Sequence, residues 1–576
     1  MIRALFVRFF GSRLATARLR LKAELKSELK TELKSELESE LKSQLMRMIE
    51  SEYHAAISKE LTKQFEVKFV AGMSTYFKTE LALTLDSVRR HQRDFDSLVD
   101  PACSPILSQL REAVDVSKRP ELLAALRVQL RRQVRLAAGL PADPVDPSSM
   151  EDLLVEVSFL RRHESALRPV FVALQDKRVL FSGQAYYNAW YLSRELRRLD
   201  WRADVLNWDT NAASQIYYHG EDFRVGSAGL DSPAACLAFY VDALYDYDVF
   251  HFSNAHAICF GFALQEVFRL RFGMHAEIML LKGLGKKIVY SHNGCLDGVS
   301  QTAFSKWGPA SVCSICRWRN EPSVCSDERN LEWGKFRNAV ADYQCLSGGN
   351  RIDYNDDPRV HEAPWFYCLD PAIWDPSLPV PEAFRLPTSA VHVVRLYHAI
   401  GNRDDRTNEA GVNIKSSHVY LPLVRKLKAE GLALELMEPT GIPNIDVRFL
   451  QMQADIFLDM LTFGWFGANA REAMMLAKPV ICFLRPEWLE SVRKELPGYV
   501  EELPVVSATP ATVEMVLRRL IENPAECREI GERGRRFAIK WHSASAGARQ
   551  FDAIYSRLLG VDPVLRVSSM TQCHAG

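Results

Sequence analysis

Net charge, long apolar runs and cysteine are all scarce in this 576-residue chain, and each scarcity removes a class of protein. Its 72 Lys and Arg residues balance 72 Asp and Glu residues, so no global basic excess calls for nucleic acid as a partner. No segment approaches the roughly 18 consecutive apolar residues of a membrane-spanning helix, so the chain is not expected to cross a bilayer. The twelve cysteines mostly stand singly in apolar segments such as "AACLAF" and "VICFL", the usage of a reducing interior rather than of a disulfide scaffold. What is there is a globular composition, 47% hydrophobic, long enough for about three or four domain-sized units.

The first twenty residues carry five arginines and no acid, but Arg8 and Arg13 interrupt the apolar core that a secretory signal needs. A cytoplasmic chain is therefore expected. A basic, Phe-containing start also suits peripheral contact with an anionic inner membrane face, although its arginines do not collect on one helical side. From 21 to 45 the sequence "LKAELKSELKTELKSELESELKSQL" repeats every four residues and has no Gly or Pro, which predicts a helix. Its Glu24, Glu28, Glu32 and Glu36 form one i,i+4 row and its Lys22, Lys26, Lys30 and Lys34 another, so like charges are neighbours. Pairing between chains would relieve that repulsion, making a self-associating coiled coil one reading and a solvated helix the other. Helical patterning continues to the linker "PADPVDPSS" at 141–149, giving a helical extension over 1–150.

After residue 150 the pattern changes to apolar strands alternating with helices. "KRVLFSG", "ADVLNW", "YDVFHFS" and "KKIVYSHNG" read as buried parallel strands, and "AVHVVRLYHA", "LALELME", "ADIFLDML" and "KPVICFL" as a second series beyond a proline-rich crossing at 370–387. The expected fold class is α/β, with two Rossmann-like domains at 151–385 and 386–560 and a tail at 561–576. Ligands of such folds bind at the carboxyl ends of strands, here in a cleft between the domains.

The stretch "FGWFGANAREAMMLAKPVICF" follows a strand with a turn carrying Gly464 and Gly467, then a helix start. Glycines let backbone approach a ligand closely, and a helix N-terminus favours a phosphate. Glu472, early in that helix, offers two acceptor oxygens to a ribose diol, or simply stabilises the helix dipole. Arg403 and Lys415, in the loop and helix start after the first strand of this domain, suit a diphosphate as fork and point charge, or are solvated.

These segments resemble the donor-binding signature of GT-B fold glycosyltransferases, family 4 and its relatives, over about residues 177–560. "GWFG", "EAMMLAKPVI" and "ADIFLDML" carry the match, together with "VVRLYHAIGNRDDRTNEAGVNIKSSHVYLPLVRKL". The resemblance places Arg403 and Lys415 at the basic pair that holds the nucleotide diphosphate, and Glu472 at the ribose. Many such enzymes carry a second glutamate eight positions earlier, where this chain has Gly464; a bacterial branch with a GW(Y/F)G turn also lacks it. Ser416 and Ala477 stand where the family has glycine, the latter read as a minor packing change.

In the first domain, Gly183 ends a strand facing the cleft, or forms an ordinary strand-to-helix turn. His292 ends another strand; the resemblance makes it a contact to donor sugar or acceptor hydroxyl, against a structural reading. Cys295, Cys313, Cys316 and Cys325 lie in an insertion at 295–325 with one CxxC, a pattern open to structural zinc, an iron–sulfur or redox pair, or free thiols. The expected function is transfer of a sugar from a nucleotide-diphosphate donor to a glycan or lipid-linked acceptor in cell-envelope building. Retention and chemistry without metal or other cofactor are what the resemblance implies. The alternative is a non-catalytic scaffold of the same shape behind a self-associating arm.

Overall fold

The computed structural model describes residues 120–561 except 185, 228, 254–256, 296, 307–311, 320, 347–350, 389–391 and 402, all within one compact unit, Ser87–Gly576. The repeat at 21–45, the basic start and the tail beyond 561 lie outside the described residues, and with them the coiled-coil and membrane-contact expectations. No helix among the described residues is long and apolar enough to cross a membrane.

Two parallel sheets organise the molecule. The first comprises β1 (Arg178–Ser182), β2 (Arg202–Asn207), β3 (Phe223–Arg224), β4 (Val249–Phe252), β5 (Lys287–Ser291), β6 (Tyr343–Leu346) and β7 (Val360–Glu362), in the order β3-β2-β1-β4-β5-β6-β7. The second comprises β8 (Val394–Tyr397), β9 (Leu434–Met437), β10 (Ile456–Leu458), β11 (Val480–Cys482) and β12 (Val506–Ser507), in the order β12-β11-β10-β8-β9. Every pairing is parallel. Continuous apolar runs make this possible: Val179, Leu180, Phe181, Val249, Phe250 and Phe252 are fully buried, as strands covered by helices on both faces must be. The eight strands read from the sequence are present; β3, β6, β7 and β12 are additions. Strand order reverses between β1 and β4 in one sheet and between β8 and β10 in the other, and those reversals open crevices at the strand carboxyl ends.

Helix Pro120–Ala137 packs on helices Met150–Arg162 and Pro233–Asp246 of the first sheet. Its Arg127 reaches the buried Asp248 at 2.5 Å, and Lys286 meets the same carboxylate at 2.9 Å. Burial pulls the Lys286 ammonium down to about 8 while Asp248 works against it. At the other end the chain crosses back through reciprocal bonds between Leu369 and the His542–Ala544 segment, each 2.7 Å. Helix Ala544–Leu559 then lies against helix Asn188–Arg197 of the first sheet. Asp552 accepts from Trp201 Nε1 at 2.8 Å, and the Tyr555 hydroxyl is 2.6 Å from His251 Nδ1. The two sheets are therefore joined by two crossings of the chain, at 370–387 and at 543, which hold their strand ends opposite each other.

Candidate active site

The second sheet supplies the charges. At the end of β8, buried His398 bonds Leu458 O through Nδ1 at 3.0 Å and Ser417 Oγ through Nε2 at 2.7 Å. This ties the ends of β8 and β10 to the start of helix Ser417–Ala429. The residue before that helix, Ser416, sits at φ +65°, and its hydroxyl accepts from Leu461 N at 3.0 Å. So held, Lys415 directs its ammonium to Asp459 Oδ1 at 2.9 Å, and Gly467 N donates to Asp459 Oδ2 at 2.9 Å. Burial alone would raise the Asp459 carboxyl, but Lys415 and the Gly467 amide outweigh it and hold it below the usual range. A Cβ on Gly467 would stand 3.2 Å from Lys415 Nζ, which is the close approach that glycine permits here.

Gly464 has a different reason to be glycine. Its φ is +96°, and a Cβ there would come within 3.0 Å of Arg485 Cβ, while its carbonyl accepts from Arg485 N at 2.8 Å. A glutamate at this position would be strained as well as crowded, so the absent partner acid follows from the turn's backbone. Ala477 also departs from the minor packing change expected of it. It sits at φ +56° just beyond helix Ala468–Met475, and with Ser416 it places an L side chain in the left-handed region that favours glycine.

Glu472 is fully buried. Its Oε1 accepts from the Tyr187 hydroxyl at 2.8 Å and from Asn444 Nδ2 at 3.0 Å, and its Oε2 from Gln451 Nε2 at 2.5 Å. Tyr187 comes from the first sheet, so the carboxylate ties the two sheets together. Beside it, Arg471 is 8% exposed and rests on the Tyr367 ring, 5.0 Å from the centroid, with no carboxylate partner among the described residues.

The first sheet offers mainly neutral groups. Gly183 follows β1 at φ +86°; its N–H donates to Leu206 O at 2.9 Å and its carbonyl accepts from Ser253 Oγ at 3.1 Å, so both backbone groups are used within the sheet. The turn it opens carries Tyr186 at φ +61° into the cleft. There Arg406 hydrogen-bonds the Tyr186 phenol, and Lys415 and Arg471 lie close by. Desolvation opposes ionisation of Tyr186, but these three cations prevail and its phenol sits below the usual range. His292, buried, donates from Nε2 to Gln344 Oε1 at 3.1 Å, and its Nδ1 has no hydrogen bond among the described residues. Burial first and Arg337 second hold His292 far below its ordinary value, so it is neutral. The Tyr367 hydroxyl donates to its carbonyl, placing His292 one ring away from Arg471.

Of the residues expected from the sequence, Lys415, Gly464, Gly467 and Glu472 gather around the turn after β10, with the Gly183 turn opposite. Arg403 stands apart, 44% exposed and paired with Glu438 at 2.5 Å; Arg406, one helical turn on, enters the cleft instead. Cys295, Cys313, Cys316 and Cys325, in the segment after β5, form no disulfide. Tyr186, Arg406, Asp459 and Arg471 were not singled out. Asp459 at the end of "ADIFLD" and Arg471 next to Glu472 were visible as charges on otherwise apolar segments; Tyr186 had no such signal.

No protein-family model matches the chain. Over 154 residues it is 29% identical to an MMP α-(1→4)-mannosyltransferase of Mycolicibacterium hassiacum. The match takes in 24% of this chain and 36% of that protein, so the chain spans about a third of the curated relative's length. Among solved structures it is similar to sucrose-phosphate synthase from Thermosynechococcus elongatus, 14% identical with TM-score 0.41, over 67% of this chain and 100% of that one. A glycosyltransferase from Rickettsia africae is 11% identical with TM-score 0.40, over 67% and 99%. Anabaena HepE, solved in complex with UDP, is 13% identical with TM-score 0.40, over 66% and 100%.

Proposed function

We propose that this protein is a glycosyltransferase that moves a sugar from a nucleotide-diphosphate donor to a carbohydrate or lipid-linked acceptor. The observation that carries the reading is the hydrogen bond of Arg406 to the Tyr186 phenol, with Lys415 and Arg471 near enough to act on it electrostatically, where the carboxyl ends of the two sheets face each other. Three cations grouped about one partly sheltered phenol form an anion site, and a diphosphate is the anion whose departure such a site accelerates. The partial match to a mannosyltransferase supports the same class of chemistry.

In this reading the diphosphate replaces the Tyr186 hydroxyl among the cations and lies against the Gly464–Gly467 turn, with Gly467 N and the start of helix Ala468–Met475 beside it. Arg403 stands at the rim, reaching the diphosphate when Glu438 yields. Glu472 receives the ribose diol, which takes the place of Asn444 on Oε1; each carboxyl oxygen has more than one lone pair, so Tyr187 need not be released. The acceptor enters against the first sheet, where neutral His292 accepts a hydroxyl hydrogen bond on Nδ1 and Gly183 positions the Tyr186 turn. As the anomeric carbon–oxygen bond to the diphosphate breaks, the acceptor oxygen bonds the same face of that carbon. The acceptor's proton passes to the departing phosphate oxygen, giving retention with the charge held by Arg406, Lys415 and Arg471 rather than by a metal.

The test is a panel of nucleotide sugars assayed for hydrolysis and transfer, wild type against Glu472→Ala. Turnover of one donor, weakened in the variant chiefly through KM, is expected. Turnover of none, with no nucleotide binding, would leave the scaffold reading.

A further inference from the structure

The four cysteines of the 295–325 insertion converge although they come from three separate parts of it. Cys295 follows β5, Cys313 and Cys316 bracket the end of the short helix Val312–Ile315, and Cys325 precedes helix Asp327–Val340. Gln301 joins two of these parts: its carbonyl accepts from Cys313 Sγ at 4.0 Å and its side-chain amide donates to Cys325 Sγ at 3.4 Å. Asn330 Nδ2 also donates to Cys325 Sγ, at 3.6 Å, and the backbone amides of Trp318 and Arg319 are directed at Cys316. In all six pairings among the four thiols, a negative charge on one is felt by the other. The sulfurs are near one another without closing on one point: among the described residues no group of three or more His, Cys, Asp and Glu side chains stands at metal-holding distances.

Packing alone gives no reason to gather four thiols, nor to aim amide donors at two of their sulfurs, those of Cys316 and Cys325. Amide N–H groups pointing at sulfur stabilise thiolate, and a cluster of thiolates needs a cation at its centre. One CxxC with two outlying cysteines supplies the four soft ligands of a closed tetrahedral site, with no position left for substrate.

We propose that Cys295, Cys313, Cys316 and Cys325 bind one structural zinc-class dication. The clamp acts on the cleft. Ile315, inside the CxxC, accepts through its carbonyl from Asn408 Nδ2 at 3.3 Å, two residues from Arg406. Phe304 packs edge-on against Phe463 at 5.8 Å and Trp465 at 6.2 Å, on the turn that carries Gly464. The metal thus fixes the segment that buttresses both sides of the cation cluster.

Elemental analysis of full-length protein purified without chelator should give one zinc per chain. Cys313→Ser with Cys316→Ser should lose it, and Cys236→Ser, a buried cysteine elsewhere, should keep it. Nucleotide diphosphate affinity should fall about fivefold or more with the metal, the size of an ordinary coupling between sites. Cobalt in place of zinc should show the thiolate charge-transfer and tetrahedral d–d bands. If the double variant does not fold, wild type decides: an organomercurial should release zinc in step with modification of four thiols. Fresh protein without zinc, zinc retained by the folded double variant, or the visible absorption of an iron–sulfur cluster would each overturn the assignment.

Discussion

The two sheets share one architecture and present opposite chemistry to the space between them. At the ends of β8 and β10 every element carries a charge: Arg403, Arg406, Lys415, Asp459, Arg471 and Glu472. At the ends of β1 and β5 the cleft receives Tyr186, Tyr187 and a neutral His292, while the first sheet's buried ion cluster of Arg127, Asp248 and Lys286 belongs to its helical packing. A parallel sheet creates crevices by topology alone, and the side chains then decide which ligand part each receives. In the proposed function the charged edge receives the diphosphate and the neutral edge the sugar hydroxyls.

That contrast can be broken by substitution, most severely at Lys415. Lys415→Ala leaves Asp459 buried without its cation and should cost about 3–5 kcal/mol of stability, measured by denaturant unfolding. Lys415→Met with Asp459→Asn should recover most of that stability and none of the nucleotide binding, which separates scaffold from site. In the helical packing of the first sheet, Glu277 of helix Ala276–Gly283 is fully buried with neither oxygen bonded among the described residues, and burial pushes it up to about 7. For a carboxyl raised in the folded state, its stabilisation is complete below the unfolded value near 4.5 and is lost as pH climbs toward 7. Glu277→Gln should therefore flatten the decline in stability between those pH values, gaining about 3 kcal/mol at pH 8 relative to wild type.

Within the charged edge the arginines should rank. Arg406→Ala and Arg471→Ala should each weaken nucleotide diphosphate binding about 10- to 100-fold, the loss of one hydrogen bond to a charged group, with Arg403→Ala changing it less than about threefold. Equal losses at Arg403 and Arg406 would move the site toward the rim. The smallest effect is expected at Ala477→Gly, which should raise stability by about 1 kcal/mol by removing a left-handed alanine.

Much of the fold was legible because buried parallel strands are continuous apolar runs. β3, β7 and β12 were not, being two or three residues long at sheet edges, and neither was β6, whose "YQCL" lacks that run. Nothing local in "ASAGARQFDAIYSRLL" says that this last helix covers the first sheet; Asp552 and Tyr555 find Trp201 and His251 only in the folded chain. At the site, Lys415 and Glu472 were readable from the segments around them. Arg403 and Arg406 were not distinguishable, since both lie in "RDDR" and only the turn of helix Arg403–Arg406 sends one to Glu438 and the other to Tyr186. Gly464 was readable as a departure but not as a cause, because its φ of +96° and the nearness of Arg485 Cβ exist only in the folded chain.

The most direct measurement is a calorimetric titration of the full chain with UDP and with GDP at low and high salt. Binding of one of them at micromolar to submillimolar concentration, weakened by salt and abolished by Arg406→Ala with Arg471→Ala, is the expected result. No binding of either at millimolar concentration by folded wild-type protein would contradict the assignment of the charged edge as a nucleotide diphosphate site.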